Sequence, residues 1–121
     1  MKHLHLKTRQ NTIEDSLEFK RLFESASNKS LSKEEQGQIL RSIRNGELNS
    51  IPKLVESLEE TILLIIIQLD IDYINVEEQL NEAKKAVFLL AENEINSISS
   101  EKFYDFCAWT VKQAILELTI K

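Results

Sequence analysis

The chain has 121 residues, 42% of them hydrophobic, 7% aromatic and 29% charged, and its net charge at neutral pH is −5. That length and apolar content suit one compact domain with a modest core, while the acidic balance excludes the overall basic footprint with which a protein holds duplex DNA. Two glycines and one proline are too little punctuation for hairpins and strands, so the expected fold class is all-α, a compact bundle of about five helices.

The opening MKHLHLKTRQ lacks the continuous apolar centre of a secretion signal, and residues 1–11 read as a basic arm ahead of a helical domain over residues 12–121. His3 and His5 in that arm have no neighbouring acid or thiol, which leaves too few ligands for a metal. A first helix is expected from about Ile13 to Ser27, with Leu17, Leu22 and Phe23 among its inward residues. Ser32 opens the second, and Glu35 completes a capping box in which each side chain satisfies a free backbone amide. Ile39, Leu40 and Ile43 form the apolar side of this helix, and Asn45-Gly46 stops it.

A third helix starts near Asn49 or Ser50, with Pro52 in its first turn where a missing amide costs little, and runs through Leu54, Val55, Leu58, Ile62, Ile65 and Ile66 to Leu69. The run from Ile62 to Ile67 is too short to span a bilayer, and so long an unbroken apolar pattern favours a helix surrounded by others over a strand. Asn75 caps a fourth helix, with Glu78 at the capping-box position and Leu80, Ala83, Ala86, Val87, Leu90 and Ala91 as its apolar residues. Charge is uneven along the chain: residues 1–30 carry six basic and four acidic groups, residues 77–100 two basic and five acidic ones.

A polar loop from Asn93 to Ser100 leads to the last helix, the most informative segment of the sequence. At about 100° per residue, Phe103, Cys107, Val111, Ala114, Ile115 and Leu118 fall on one face, an ordinary core stripe. Phe106, Trp109, Gln113, Leu116 and Ile120 fall together on another side, and Asp105, Lys112 and Thr119 occupy a narrow polar strip. Two apolar stripes on one helix need two partners. For Phe106 and Trp109 two placements are open: packed beneath the N-terminal helices, or exposed to a ligand. Cys107, on the core face, is a small buried hydrophobe, and a lone cysteine suits a reducing cytoplasm. The core is expected around Leu58, Ile62, Ile65, Leu90, Val111 and Leu118.

The segment FYDFCAWTVKQAI, from Phe103 to Ile115, resembles the most recognisable helix of the primary class of bacterial RNA polymerase sigma factors, which reads F-x-x-Y-A-x-W-W-I-R-Q-A-I. Phe103, Trp109, Gln113, Ala114 and Ile115 are kept; Phe106, Cys107, Val111 and Lys112 are mild exchanges; Thr110 stands where the family has its second tryptophan. The resemblance extends backward. SKEEQGQILRSIRNGELNSIPKL, from Ser32 to Leu54, is similar to the family's capped helix ending in R-x-G-D, with Glu47 for the Asp. EQLNEAKKAVFLLA, from Glu78 to Ala91, is similar to D-L-I-N/Q-E-G-N-x-G-L-x-x-A, keeping Asn81 and Glu82 and placing Ala83 and Ala86 where the family has glycines. The family's later domains have no counterpart in these residues.

The resemblance implies two binding surfaces. Glu78, Asn81 and Glu82 would face the clamp helices of the largest subunit of core RNA polymerase. In the last helix Phe106 would stack on an unstacked base of the minus-ten promoter strand, Trp109 would wedge at its upstream edge, Lys112 would meet phosphate and Gln113 would read a base edge. The departures at Thr110, Leu116 and Glu117 predict weakened DNA reading, since Glu117 stands where the family commonly offers Arg. The function expected is that of a sigma-like transcription initiation protein; the alternative is a degenerate sigma-like interaction module that binds polymerase or an anti-sigma protein without promoter recognition. No nucleophile-base pair, phosphate-cradling glycine loop or metal cluster is present in the sequence, so neither enzymatic activity nor a cofactor is expected, and the expected location is the cytoplasm without a membrane partner.

Overall fold

A computed structural model describes residues 13–120 as six α-helices joined by short turns, with no strand among the described residues. The helices are α1 (Leu17–Ser27), α2 (Lys33–Arg44), α3 (Ile51–Ser57), α4 (Glu59–Leu69), α5 (Val76–Glu94) and α6 (Ser100–Leu118). The all-α bundle expected from composition is therefore the observed fold. The basic arm over residues 1–11, with His3 and His5, lies outside the described residues.

Local signals in the sequence set most of the helix ends. The Ser32 hydroxyl accepts the Glu35 amide at 3.1 Å while the Glu35 carboxylate accepts the Ser32 amide at 3.0 Å, a closed capping box. Those bonds, the backbone one foremost, draw the Glu35 carboxyl below its ordinary value. At the other end of α2 the Gly46 amide donates to Ile43 and the Glu47 amide to Ser42, each at 2.9 Å, so two carbonyls left over by the helix are satisfied. Gly46 adopts φ +96°, a conformation that costs glycine little. Asn75 caps α5 by accepting the amides of Glu77 and Glu78, without a return bond from Glu78, so the expected capping box there is a one-way cap.

Three expectations need correction. Leu17 is 72% exposed, and Phe19 is buried in its place. Ser16 caps α1 through the Phe19 amide, which makes Leu17 the first helical residue and turns Phe19, Leu22, Phe23 and Ala26 toward the core. The helix expected from Asn49 to Leu69 is two helices, preceded by a 3-10 turn at Leu48–Ser50. The buried Ser57 hydroxyl donates to the Leu54 carbonyl at 2.6 Å and the Leu58 amide to Val55 at 3.1 Å, tightening the turn that separates α3 from α4. Leu90 is half-buried at the edge of the core and Leu118 is half-buried outside it, whereas Leu58, Ile62, Ile65 and Val111 lie within it.

The two 19-residue helices α5 and α6 make the most extensive helix pair. Helices α3 and α4 lie against α5, α4 also meets α6, and α1 lies on α4. Phe103 is the largest fully buried side chain, joined at the centre by Ile51, Leu54, Ile62, Leu63 and Ile66. Arg44, at the end of α2, donates to the Ile98 carbonyl at 2.7 Å and to the Ser100 hydroxyl, fixing where α6 begins.

The kink at Ser57 also brings a charge inside. Glu59 is 4% exposed, its carboxylate 2.9 Å from the Lys29 ammonium and 2.6 Å from that of Lys84. Burial alone would raise its pKa, but the contacts with Lys84 and Lys29 outweigh burial and hold it below its ordinary value. Beside it, Glu60 accepts the hydroxyls of Ser27 and Ser30. Three parts of the chain thus converge on the start of α4: the end of α1, the following turn, and α5.

Candidate functional site

The two sets of residues singled out in the sequence lie on consecutive helices. On α5, the spacing of Glu78, Asn81 and Glu82 puts them on one side; Glu78 and Asn81 are exposed and Glu82 is half-buried. Lys85 continues that side, its ammonium 3.5 Å from the Glu82 carboxylate. Leu89, 54% exposed, lies one helical repeat beyond Glu82 and extends the face with an apolar side chain. Sequence reasoning missed Leu89, although its seven-residue spacing from Glu82 was the available signal.

The opposite side of α5 holds this face in place. Leu80, Ala83, Val87 and Ala91 are buried, as is Gln79, whose amide nitrogen donates to the Ile71 carbonyl at 3.0 Å and to that of Ile74 at 2.8 Å. Gln79 thereby ties the α4–α5 connection to the first turn of α5. No sequence pattern pointed to a buried glutamine.

On α6 the two stripes separate cleanly. Phe103, Cys107, Val111 and Ile115 are buried. Phe106 is 44% and Trp109 62% exposed, and Leu116 and Ile120 are exposed beyond them. The placement of the aromatic pair beneath the N-terminal helices is thereby ruled out. Phe106, Trp109 and Asp105 line a shallow, mainly apolar hollow of about 320 Å³. Lys112 and Gln113 follow one turn later and are exposed, as is Glu117. The four residues assigned to strand binding are thus reachable from one side of α6, with an acidic residue at each end of the patch.

On the buried side, burial pushes the Cys107 thiol up to about 12, which removes it as a nucleophile or metal ligand. Among the described residues no group of three or more His, Cys, Asp or Glu side chains is arranged to hold a metal ion, and no helix is long and apolar enough to cross a membrane. The chain matches no family model, no curated protein and no solved structure.

Proposed function

We propose that this protein is a sigma-like transcription factor that docks on the clamp helices of core RNA polymerase through Glu78, Asn81 and Glu82 and offers Phe106, Trp109, Lys112 and Gln113 to melted minus-ten promoter strand. The observation that carries the reading is the exposure of Phe106 and Trp109 side by side on a helix whose other face already supplies the core. Burying a large aromatic side chain against a partner is strongly favourable, so two of them left in water form a binding surface. Rings in that position can replace the stacking a base loses on melting, at about 1–3 kcal/mol per base. The order and spacing of the motifs from Ser32 to Ile115 support the same reading.

The acidic balance limits what the free protein does with duplex DNA. Dissociation constants no tighter than about 10⁻⁴–10⁻⁶ M at physiological salt are expected. In fluorescence anisotropy with a labelled minus-ten single strand, Trp109→Ala should lose binding and Glu117→Arg should gain it at low salt. Separately, Glu82→Lys should weaken capture by an isolated clamp-helix fragment without moving the melting temperature, because among the described residues its carboxylate is held by no more than a surface ion pair with Lys85.

A second reading is favoured by Leu116, Ile120 and Glu117, all exposed beside Trp109. They extend the aromatic patch with apolar and acidic groups that suit a protein surface better than a phosphate backbone. In this reading the protein is a degenerate sigma-like module that occupies the clamp or an anti-sigma protein without opening a promoter. Retained clamp capture, together with a Glu117→Arg variant that binds strand no better than wild type, selects it. Loss of both activities rejects both readings.

A further inference from the structure

Inside the bundle, on the opposite side of α6 from its aromatic patch, lies a cavity of about 310 Å³ walled by Leu58, Ile62, Ile65, Val87 and Val111. Protein interiors pack about as densely as organic crystals and leave few voids larger than a water molecule. An apolar cavity of about 150 Å³ holds benzene, so this one accommodates roughly a dozen non-hydrogen atoms. Its volume also reaches the range of small-molecule sites, which begins at about 300 Å³.

Four polar residues also line it, Lys33, Gln36, Thr61 and Tyr104, and two of them show what kind of molecule fits. Tyr104 lines the cavity, and its hydroxyl is buried without a hydrogen-bond partner. A buried donor left unmade is costly and uncommon, so a ligand atom that accepts from it gains more than a surface contact would. Burial, with the neighbouring Cys107 adding to it, pushes the Tyr104 pKa up to about 12, so the group stays a neutral donor. Lys33 lines the same cavity from the first turn of α2. It is exposed, which marks the side where the cavity meets solvent, and its ammonium forms no ion pair among the described residues.

We propose that this cavity binds a monocarboxylate with a medium-length aliphatic tail, the tail lying among the leucine, isoleucine and valine side chains and the carboxylate meeting Lys33 and the Tyr104 hydroxyl. A purely apolar ligand would leave both polar groups unanswered. A phosphate dianion would need more cation than one lysine supplies. The seat is formed by α4, α5 and α6 with the first turn of α2, beneath the outer faces of the last two helices, and it is independent of the function proposed for those faces.

Octanoate titrated into the 121-residue protein, followed by methyl NMR of isoleucine, leucine and valine, tests this. Saturable shifts are expected at Ile62, Ile65, Val87 and Val111, with octan-1-ol binding more weakly than octanoate. Lys33→Glu, a surface change, should raise the dissociation constant about tenfold, as loss of a charge-assisted hydrogen bond does. Tyr104→Phe removes a hydroxyl that has no partner and should keep the fold while weakening octanoate several-fold. Absence of saturable shifts, shifts confined to the surroundings of Trp109, or unchanged affinity in either variant overturns the proposal.

Discussion

The two faces of α6 are built from similar residue types and meet opposite fates. Phe103, Cys107, Val111 and Ile115 are buried in the bundle, whereas Phe106, Trp109, Leu116 and Ile120 stand in water. Both faces are apolar, so hydrophobicity alone does not say which one folds the protein. The difference lies in what the other helices offer: among the described residues α4 and α5 cover one side of α6, and the aromatic side stays exposed. The outer face adds no fully buried residue to the core, yet it carries the chain's only tryptophan and a phenylalanine.

Substitutions on the two faces put that contrast to the test. Phe103→Ala should be the most damaging, costing about 3–5 kcal/mol in denaturant unfolding, because it removes the largest fully buried side chain and leaves a cavity. A cost below about 1 kcal/mol would mean the inner face is not the core. Glu59→Ala should cost about 1–3 kcal/mol, less than burial alone suggests, because Lys29 and Lys84 are each about one-third exposed and can turn to water. The same carboxylate gives the fold an acid limit. Its folded pKa lies below the ordinary 4.5, so its contribution is complete above that value and is lost as pH falls through the lower folded value. Glu59→Gln should flatten this acid-side loss in thermal melts taken across pH 2–6, and an unchanged slope would show that other carboxylates dominate it.

Smaller effects sharpen the comparison. Gly46→Ala should destabilise by about 1–2 kcal/mol through backbone strain alone, since φ is +96° and no atom beyond the adjacent residues lies within 4 Å of where a side chain would start. Trp109→Ala should change stability by no more than about 0.5 kcal/mol, as expected of an exposed residue. A loss comparable to that of Phe103→Ala would dissolve the distinction between the faces.

Much of the fold was legible because it rests on local chemistry. The Ser32 and Asn75 caps, the Gly46 stop and the inner stripe of α6 each depend on residues within a few positions of one another, and each was read in place. The divided third helix was not, because no glycine or proline marks the break; it comes from a serine hydroxyl competing for a backbone carbonyl, at a position where Glu59 is drawn toward two lysines distant in sequence. The outward turn of Leu17 follows from a cap that begins one residue before it, a shift that periodicity alone leaves ambiguous. On the candidate site, periodicity grouped the exposed residues of α6 correctly but left open whether other helices cover them. Leu89 was within reach of the same periodicity, whereas the cavity beneath α6 depends on packing between helices, which a single chain's pattern does not encode.

Trp109 is the only tryptophan in the chain and is 62% exposed, which has a spectroscopic consequence. Its emission in the folded protein should already lie close to that of the unfolded chain, so intrinsic fluorescence follows denaturation poorly, and far-ultraviolet circular dichroism is the better probe of folding. The same indole becomes a clean reporter of occupancy: whatever covers the outer face of α6 takes it out of water and shifts its emission to the blue, with no other tryptophan in the background.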